Sequence, residues 1–217
     1  MPTARERPSD HARSMQRMYS RHGAIYDATR WMTLLGRRRV IEEFALNPGD
    51  RILEVGCGTG RNLPPLCRKV GPRGEVVGLD CAPAMLQRAR KRMRGHANVD
   101  LVEGEYGMSG VVEGPFDAIV FSYSLSMIEN FEHVLERALQ DLRPGGRIAV
   151  VDFLDSCLAP VHRLIESYPV TLGPARRKTL RRLFTEGSDT SRRGFLGLWR
   201  YYLWIGSRGE AKKAADQ

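Results

Sequence analysis

Residues 51–62 read RILEVGCGTGRN: Glu54 closes an apolar run, and Gly56, Gly58 and Gly60 follow at alternate positions. Glycines so spaced bare the backbone, so that a ligand can lie directly against it. Two familiar phosphate cradles are excluded. A P-loop needs GxxxxGK followed by Ser or Thr, and the loop has no such lysine. The dinucleotide fingerprint GxGxxG puts two residues between its second and third glycines, where this loop has only Thr59. Glu54 would repel a pyrophosphate and suits a ligand with a positive end. Asp80 ends the next apolar run, EVVGLD, about where a carboxylate accepts both hydroxyls of a ribose. A nucleoside with a cationic, amino-acid-like tail meets both demands, and S-adenosylmethionine is such a molecule.

These residues need elements to hold them. Short apolar runs at 51–56, 75–80, 99–105, 116–125 and 147–153 predict buried strands. Between them, RNLPPLCRKV opens a helix whose first turn accommodates Pro64 and Pro65. APAMLQRARKRMR (82–94) puts Ala82, Met85, Leu86 and Ala89 on one face. FEHVLERALQDL (131–142) is amphipathic and stops at RPGG. Strands alternating with helices predict an α/β fold with a parallel sheet covered on both faces. Such sheets bind ligands beyond the carboxyl ends of their strands. Glu54, Asp80, Glu105, Ser122, Tyr123 and Asp152 all fall at predicted strand ends.

The stretches ILEVGCGTG, VVGLD, LVEGE, FDAIVFSYSLSMI and LRPGGRIAVVDF resemble, in order, the motifs of class I S-adenosylmethionine-dependent methyltransferases. The likeness covers roughly residues 45–155. It implies a doubly wound, mostly parallel seven-stranded sheet of Rossmann-like type with an N-terminal helical cap. By the resemblance Glu54, Gly56, Gly58 and Gly60 line the methionine moiety and Asp80 takes the ribose. Cys81 and Met85 pack near the adenine, and Ser122 and Tyr123 sit beneath the sulfonium. Glu105 stands where many relatives carry an Asp that touches the adenine amine. Asn62 and Tyr106 complete the candidate cofactor set.

The acceptor must be read from the ends of the chain. Tyr19 and Tyr26 lie seven residues apart, two turns along one helix face. Aromatic faces beside a sulfonium supply about 0.5–2 kcal/mol of cation–π stabilisation each. The segment 18–41, with CGTGRNL and SYSLSMI, resembles bacterial methyltransferases that N-methylate lipid head groups, of the betaine-lipid, ornithine-lipid and short phosphatidylethanolamine types. That likeness implies an amine-bearing membrane lipid as partner, with methyl groups added stepwise. An amine must lose a proton before it attacks, and Tyr26, Tyr123 and Asp152 are the candidates to orient it and accept the proton. Arg163, Arg176 and Arg177 are the candidates for the lipid's anionic group. A small soluble amine or a quinone-type metabolite is the alternative acceptor.

The charge distribution suggests a near-neutral core whose flanking segments meet an anionic partner: a membrane, a nucleic acid or an acidic substrate. Residues 1–49 carry a net +4, residues 50–155 a net −2 and residues 156–217 a net +7. The basic, apolar mixture at 161–184 is expected to lie against an anionic membrane surface. FLGLWRYYLWIG (195–206) is expected to add a closing strand. Nucleic acid is not an expected partner, because no NPPY-like pocket for a flipped base follows FDAIVF. Cys57, Cys67, Cys81 and Cys157 have neither CxxC spacing nor a metal-like arrangement with histidine, so no metal is expected. No run reaches the length of a spanning helix, and residues 1–14 lack the apolar core of a signal peptide. The expected organisation is a lead at 1–14, a helical cap at 15–44, a cofactor core at 45–155, C-terminal helices and closing strands at 156–208 and a tail at 209–217. The expected location is the cytoplasmic face of the cell membrane, as a peripheral protein. The sequence sets no oligomeric state.

Overall fold

The structure, a computed structural model, describes residues 35–156, 158–166 and 170–209. Helix α1 (Arg37–Glu43) leads into strand β1 (Arg51–Val55). There follow α2 (Leu63–Val70), β2 (Glu75–Asp80), α3 (Pro83–Arg92), β3 (Val99–Glu103), β4 (Phe116–Ser122), a 3-10 turn at Leu125–Met127, α4 (Phe131–Asp141) and β5 (Leu142–Asp155). The chain ends with α5 (Ala159–Glu166), α6 (Ala175–Leu183), β6 (Thr185–Arg193) and β7 (Arg200–Ser207).

The seven strands form one sheet in the order β3-β2-β1-β4-β5-β7-β6. The first five run parallel, and β7 is antiparallel to both β5 and β6. The expected closing strand is β7, and β6 is the seventh strand of the expected sheet, lying within 156–208 where no apolar run marks it. Its segment TEGSDTSRR is polar because it is the edge strand, and hydrophobic alternation is the signal it lacks. Strand β5 starts at Leu142 rather than 147. Leu142 pairs with Phe116, and the backbone of Gly145 and Gly146 is bonded to Arg208, so RPGG is held as strand. Strand β3 stops at Glu103, which places Glu105 in the loop beyond it.

Two apolar layers cover the sheet. Val40, Ile41, Phe44, Leu66, Val70, Met85, Leu86 and the partly buried Val161 and Ile165 join α1, α2, α3 and α5 to one face. Val134, Leu135, Ala138, Leu180 and Phe184 join α4 and α6 to the other. Successive β5 residues divide between the layers, Val150 to one and Val151 to the other, as a strand buried on both sides requires. Strand order reverses between β1 and β4, so the ligand crevice expected of this topology opens between their carboxyl ends.

Candidate active site

Glu54 is 1% exposed, at the centre of the sheet. One carboxylate oxygen accepts a hydrogen bond from Asn62 Nδ2 at 2.6 Å. The other is buried without a partner among the described residues. Burial pushes the Glu54 carboxyl from 4.5 up to about 7, against the opposing pull of the Asn62 hydrogen bond and of Arg37. A buried carboxylate oxygen with nothing to accept from is the receptor a cationic ligand group needs.

The glycine turn is held from below and from the side. The amides of Gly56 and Cys57 both donate to the Leu79 carbonyl, at 2.8 and 2.9 Å. Asp80 accepts the Gly58 amide at 2.7 Å on one oxygen and the Ala82 amide at 2.9 Å on the other.

All three glycines are left-handed, at φ +72°, +56° and +72°, yet they serve different ends. A Cβ at Gly56 would lie 2.5 Å from Ser124 Cβ. At Gly60 it would meet Ala89 Cβ and a Leu63 methyl, each at 3.0 Å. At Gly58 nothing lies within 4 Å. Gly56 and Gly60 allow the chain to pack on itself, and Gly58 is the one that leaves open space for a ligand.

On the far side of the crevice, Tyr123 follows β4 with φ +56°, uncommon for a bulky residue and frequent at functional turns. Its hydroxyl was expected to orient the acceptor. It instead donates to the Leu35 carbonyl at 2.5 Å, and the ring packs edge-on to Phe153 with centroids 4.8 Å apart. Ser124 donates to the Val55 carbonyl at 2.6 Å, joining this turn to β1. Ser122 sits at the end of β4 with its hydroxyl buried and unpartnered among the described residues.

Several expected roles change. Asp152 is fully buried, accepts the amides of Ser126 at 2.7 Å and Phe153 at 2.8 Å, and is a positioning residue rather than a proton acceptor. Burial raises its pKa, against those amide bonds and Arg176. Arg176 does not face a lipid. It is 5% exposed, and its guanidinium donates to the carbonyls of Leu125 (2.8 Å), Thr171 (3.1 Å), Ile128 (3.2 Å) and Ser126 (3.4 Å) while stacking on Phe131. The peptide groups of Ser126 are thus held by an anion at the N–H and a cation at the C=O. Arg177 is engaged by Asp189, at 2.6 and 2.8 Å, and Arg181 shares that carboxylate. Tyr106 turns to α4, donating to Asp141 at 2.9 Å, so its hydroxyl is not available to an adenine. Met85 is 2% exposed, within the core layer under α3.

Cys81, half-buried directly after Asp80, keeps a protonated thiol, its pKa raised to about 12 by burial and by the neighbouring acids Asp80 and Glu105. Glu105 is half-buried, and Arg163 is exposed on α5. Tyr19 and Tyr26 lie outside the described residues. Asn62 entered the candidate set as the residue behind the glycines, and its contact is with Glu54. Ser124 and Ser126 matter through their positions on the post-β4 turn, which the φ of Tyr123 creates and no sequence motif encodes.

Residues 52–146 match the family model of a methyltransferase domain. The chain is 33% identical over 145 residues to the aklanonic acid methyltransferase of Streptomyces sp. (strain C5), a match covering 65% of this chain and 66% of that protein. It is 28% identical over 153 residues to the ubiquinone/menaquinone biosynthesis C-methyltransferase of Serratia proteamaculans (strain 568), covering 67% and 61%. The methyltransferase-domain match thus takes in β1 to the start of β5, the strands that carry the candidate site.

The chain spans less than two thirds of the length of these two curated relatives. The methyltransferase fold is similar to that of a SAM-dependent methyltransferase from Aquifex aeolicus, with TM-score 0.65 and 21% identity over 80% of this chain and 90% of that one. It is also similar to the [4+2]-cyclase SpnF, with TM-score 0.67 and 17% identity over 81% and 80%. The second likeness shows that the fold by itself does not dictate the reaction.

Two substitution pairs separate these roles. Gly56→Ala combines a left-handed backbone with a clash and is expected to lower unfolding stability by about 3 kcal/mol. Gly58→Ala is expected to cost only about 1–2 kcal/mol while weakening S-adenosylhomocysteine binding at least about tenfold. Urea unfolding and calorimetry measure the two effects. Arg176→Met leaves four carbonyls without their donor and is expected to cost about 3–5 kcal/mol. Arg177→Met is expected to cost less than Arg176→Met, because Arg181 still faces Asp189.

Proposed function

We propose that this chain transfers a methyl group from S-adenosylmethionine to a small quinone-type or aromatic metabolite. The observation that carries the donor half is the unpartnered, buried oxygen of Glu54 beside the open space at Gly58. Glu54 would hold the donor's ammonium, Asp80 its ribose hydroxyls, and the bared backbone at Gly58 the chain between them. Bound there, S-adenosylmethionine supplies an electrophilic methyl group on a sulfonium. The protein's task is to align an acceptor within about 3–3.5 Å of that carbon and to exclude water.

Strand β4 and its turn supply the acceptor wall. The Ser122 hydroxyl offers a hydrogen bond to an acceptor oxygen, and the turn behind it is fixed by Asp152 and Arg176. The metabolite reading is supported by the relatives, whose names specify aklanonic acid and ubiquinone/menaquinone biosynthesis as their field of action. It is supported also by the arginines expected to receive a lipid phosphate: Arg176 is occupied by carbonyls and Arg177 by Asp189.

A lipid head-group amine is the second reading. The observation favouring it is Arg163, exposed on α5 behind the end of β5, where it could meet an anionic head group. On that reading Tyr26 is the proton-accepting candidate left, since the hydroxyl of Tyr123 and the carboxylate of Asp152 are both engaged. Incubating the protein with isotopically methyl-labelled donor, separately with naphthoquinols bearing a free ring carbon and with phosphatidylethanolamine, ornithine-lipid or homoserine-lipid vesicles, distinguishes the readings by mass spectrometry. Label in a quinol carbon is the expected result, and label confined to lipid nitrogen would replace it with the second reading.

Glu54 gives the donor site a pH signature. A cationic ligand binds the ionised carboxylate, so affinity for S-adenosylhomocysteine is expected to rise with pH and level off above about 7, changing about tenfold per unit at the acid end. Folding stability runs the other way. The folded state holds this proton more tightly than the unfolded state, so the group's contribution is complete below 4.5 and is lost as pH rises through about 7, by about 3 kcal/mol in all. Calorimetry between pH 5.5 and 7.5, with Glu54→Gln as the flat control, checks the first. A pH series of urea unfolding checks the second.

A further inference from the structure

Strand β5 is longer than its parallel neighbour. Ser122, the last residue of β4, pairs with Val151, and β5 continues four residues further, to Asp155. At about 3.3 Å per residue it rises some 13 Å beyond the end of β4. Strands β7 and β6 follow it, since Asp155 pairs with Arg200 and Arg200 with Arg193. These three strands form a wall beside the acceptor crevice, two strand spacings, or about 10 Å, across from β4 to β7. Its crest is the β6–β7 connection, residues 194–199, with the β5–α5 loop next to it.

The crest is apolar and built. Among the described residues the large hydrophobic side chains classed as exposed are Leu158, at 46%, and Leu196, at 85%. Both belong to this crest. Ser156 Oγ donates to the carbonyls of Leu198 at 2.7 Å and Leu158 at 3.3 Å, joining the two loops. Leu196 is held in the left-handed region at φ +49°, which Asn or Gly adopts more readily than leucine. The connection is anchored beneath it. Gly194 donates to the Trp199 carbonyl at 2.7 Å, and a Cβ at Gly194 would fall 2.4 Å from the indole, which is itself buried. Cationic side chains flank the crest: Arg193 is exposed and its stem approaches Gly197, and Arg163 is exposed on α5.

We propose that this crest is a membrane-contact edge, which inserts Leu158 and Leu196 into the interface of an anionic bilayer while Arg163 and Arg193 meet its head groups. Arg163 and Arg193, both exposed beside the crest, select an anionic bilayer over a neutral one. Apolar side chains at the tip with basic ones behind them match the layering of a bilayer interface. Of the basic residues expected to face the membrane in 161–184, Arg163 belongs to this edge, whereas Arg176, Arg177 and Arg181 are bonded within the protein. It adds a partner to the proposed function: an acceptor dissolved in the bilayer would reach the crevice along the wall. It does not depend on the acceptor's identity.

The test is co-sedimentation of the full chain with vesicles of phosphatidylcholine containing about 30% phosphatidylglycerol, and with pure phosphatidylcholine. The wild type is expected to bind the anionic vesicles and to bind the neutral ones much less. Leu158→Ser with Leu196→Asn is expected to weaken binding at least about tenfold. The same variant should melt no lower than the wild type, because asparagine relieves the left-handed backbone and both sites are exposed. Absence of wild-type binding overturns the proposal, as do equal binding to both vesicles and undiminished binding by the variant. So does a result in which no vesicles are bound and light scattering shows the variant dissociating a wild-type oligomer, which would give the crest to a second copy. S-adenosylhomocysteine calorimetry on the same samples keeps the two proposals apart: vesicle binding without donor binding would sink the methyl-transfer reading alone.

Discussion

A carboxylate buried at the end of an apolar strand is costly, and the donor half of this site is organised around that cost. Glu54 lies on β1, flanked by β2 and β4, where strand order reverses and the carboxyl ends part. Solvent could otherwise satisfy its charge, but the sheet leaves it 1% exposed. Asn62, delivered by the first turn of α2, answers one oxygen. The other waits for a cation. Because desolvation dominates its titration, the site is primed to exchange a proton for a charged ligand group near neutral pH. The glycine turn serves this arrangement by letting the chain pass from Glu54 to Asn62 in eight residues while leaving space at Gly58.

The acceptor half achieves rigidity by another route. Its turn has no glycines and no long helix behind it, and two buried charges hold it instead. Asp152 takes the N–H of Ser126, and Arg176 takes four carbonyls, including three from residues 125, 126 and 128. Burial works against the charged form of both partners, lowering the pKa of the arginine and raising that of the aspartate. An apolar pair of the same volume could stabilise the fold as well or better. What the charges add is direction, since backbone groups bonded to fixed ions cannot exchange partners without exposing an unpaired charge. This is a means of specifying one conformation in a segment whose own sequence, SYSLSM, does not specify any.

This contrast explains what could be read from the sequence. The donor half is local: Glu54, Gly56, Gly58 and Asn62 lie within nine residues, and Asp80 follows one strand later, so spacing alone carries the geometry. The parallel strands were legible for the same reason, being apolar runs bounded by glycine or acid. The acceptor half is assembled from afar. Arg176 is 51 residues from Leu125, and Asp152 is 26 from Ser126. In sequence Arg176 is one of five basic residues in a seven-residue stretch and looks like its neighbours. Only packing distinguishes the one that turns inward. The position of strand β6 is not legible because a polar edge strand has one side in water and no alternation to display. Tyr106 was legible as an aromatic near a strand end, but its direction, toward Asp141 rather than the crevice, is a property of the tertiary fold.

Basic charge deserves the same separation into spent and unspent. The C-terminal region holds most of the excess that defines the chain as cationic, yet much of it is consumed within the fold. Arg176 is committed to carbonyls, Arg177 and Arg181 to a single aspartate, Arg200 to Asp155, and Arg208 to the carbonyls of Gln140 and Leu142. These contacts fasten the antiparallel β6–β7 addition and α6 onto a core that other chains of this fold share. The arginines work beside apolar packing, since Tyr202 and Trp204 of β7, with Leu180 and Phe184, are buried in the core. A count of charges therefore overstates what the surface can offer a partner. What remains outward is confined to particular sites, and its position relative to the crevice, not its total, determines which molecule the protein can meet there.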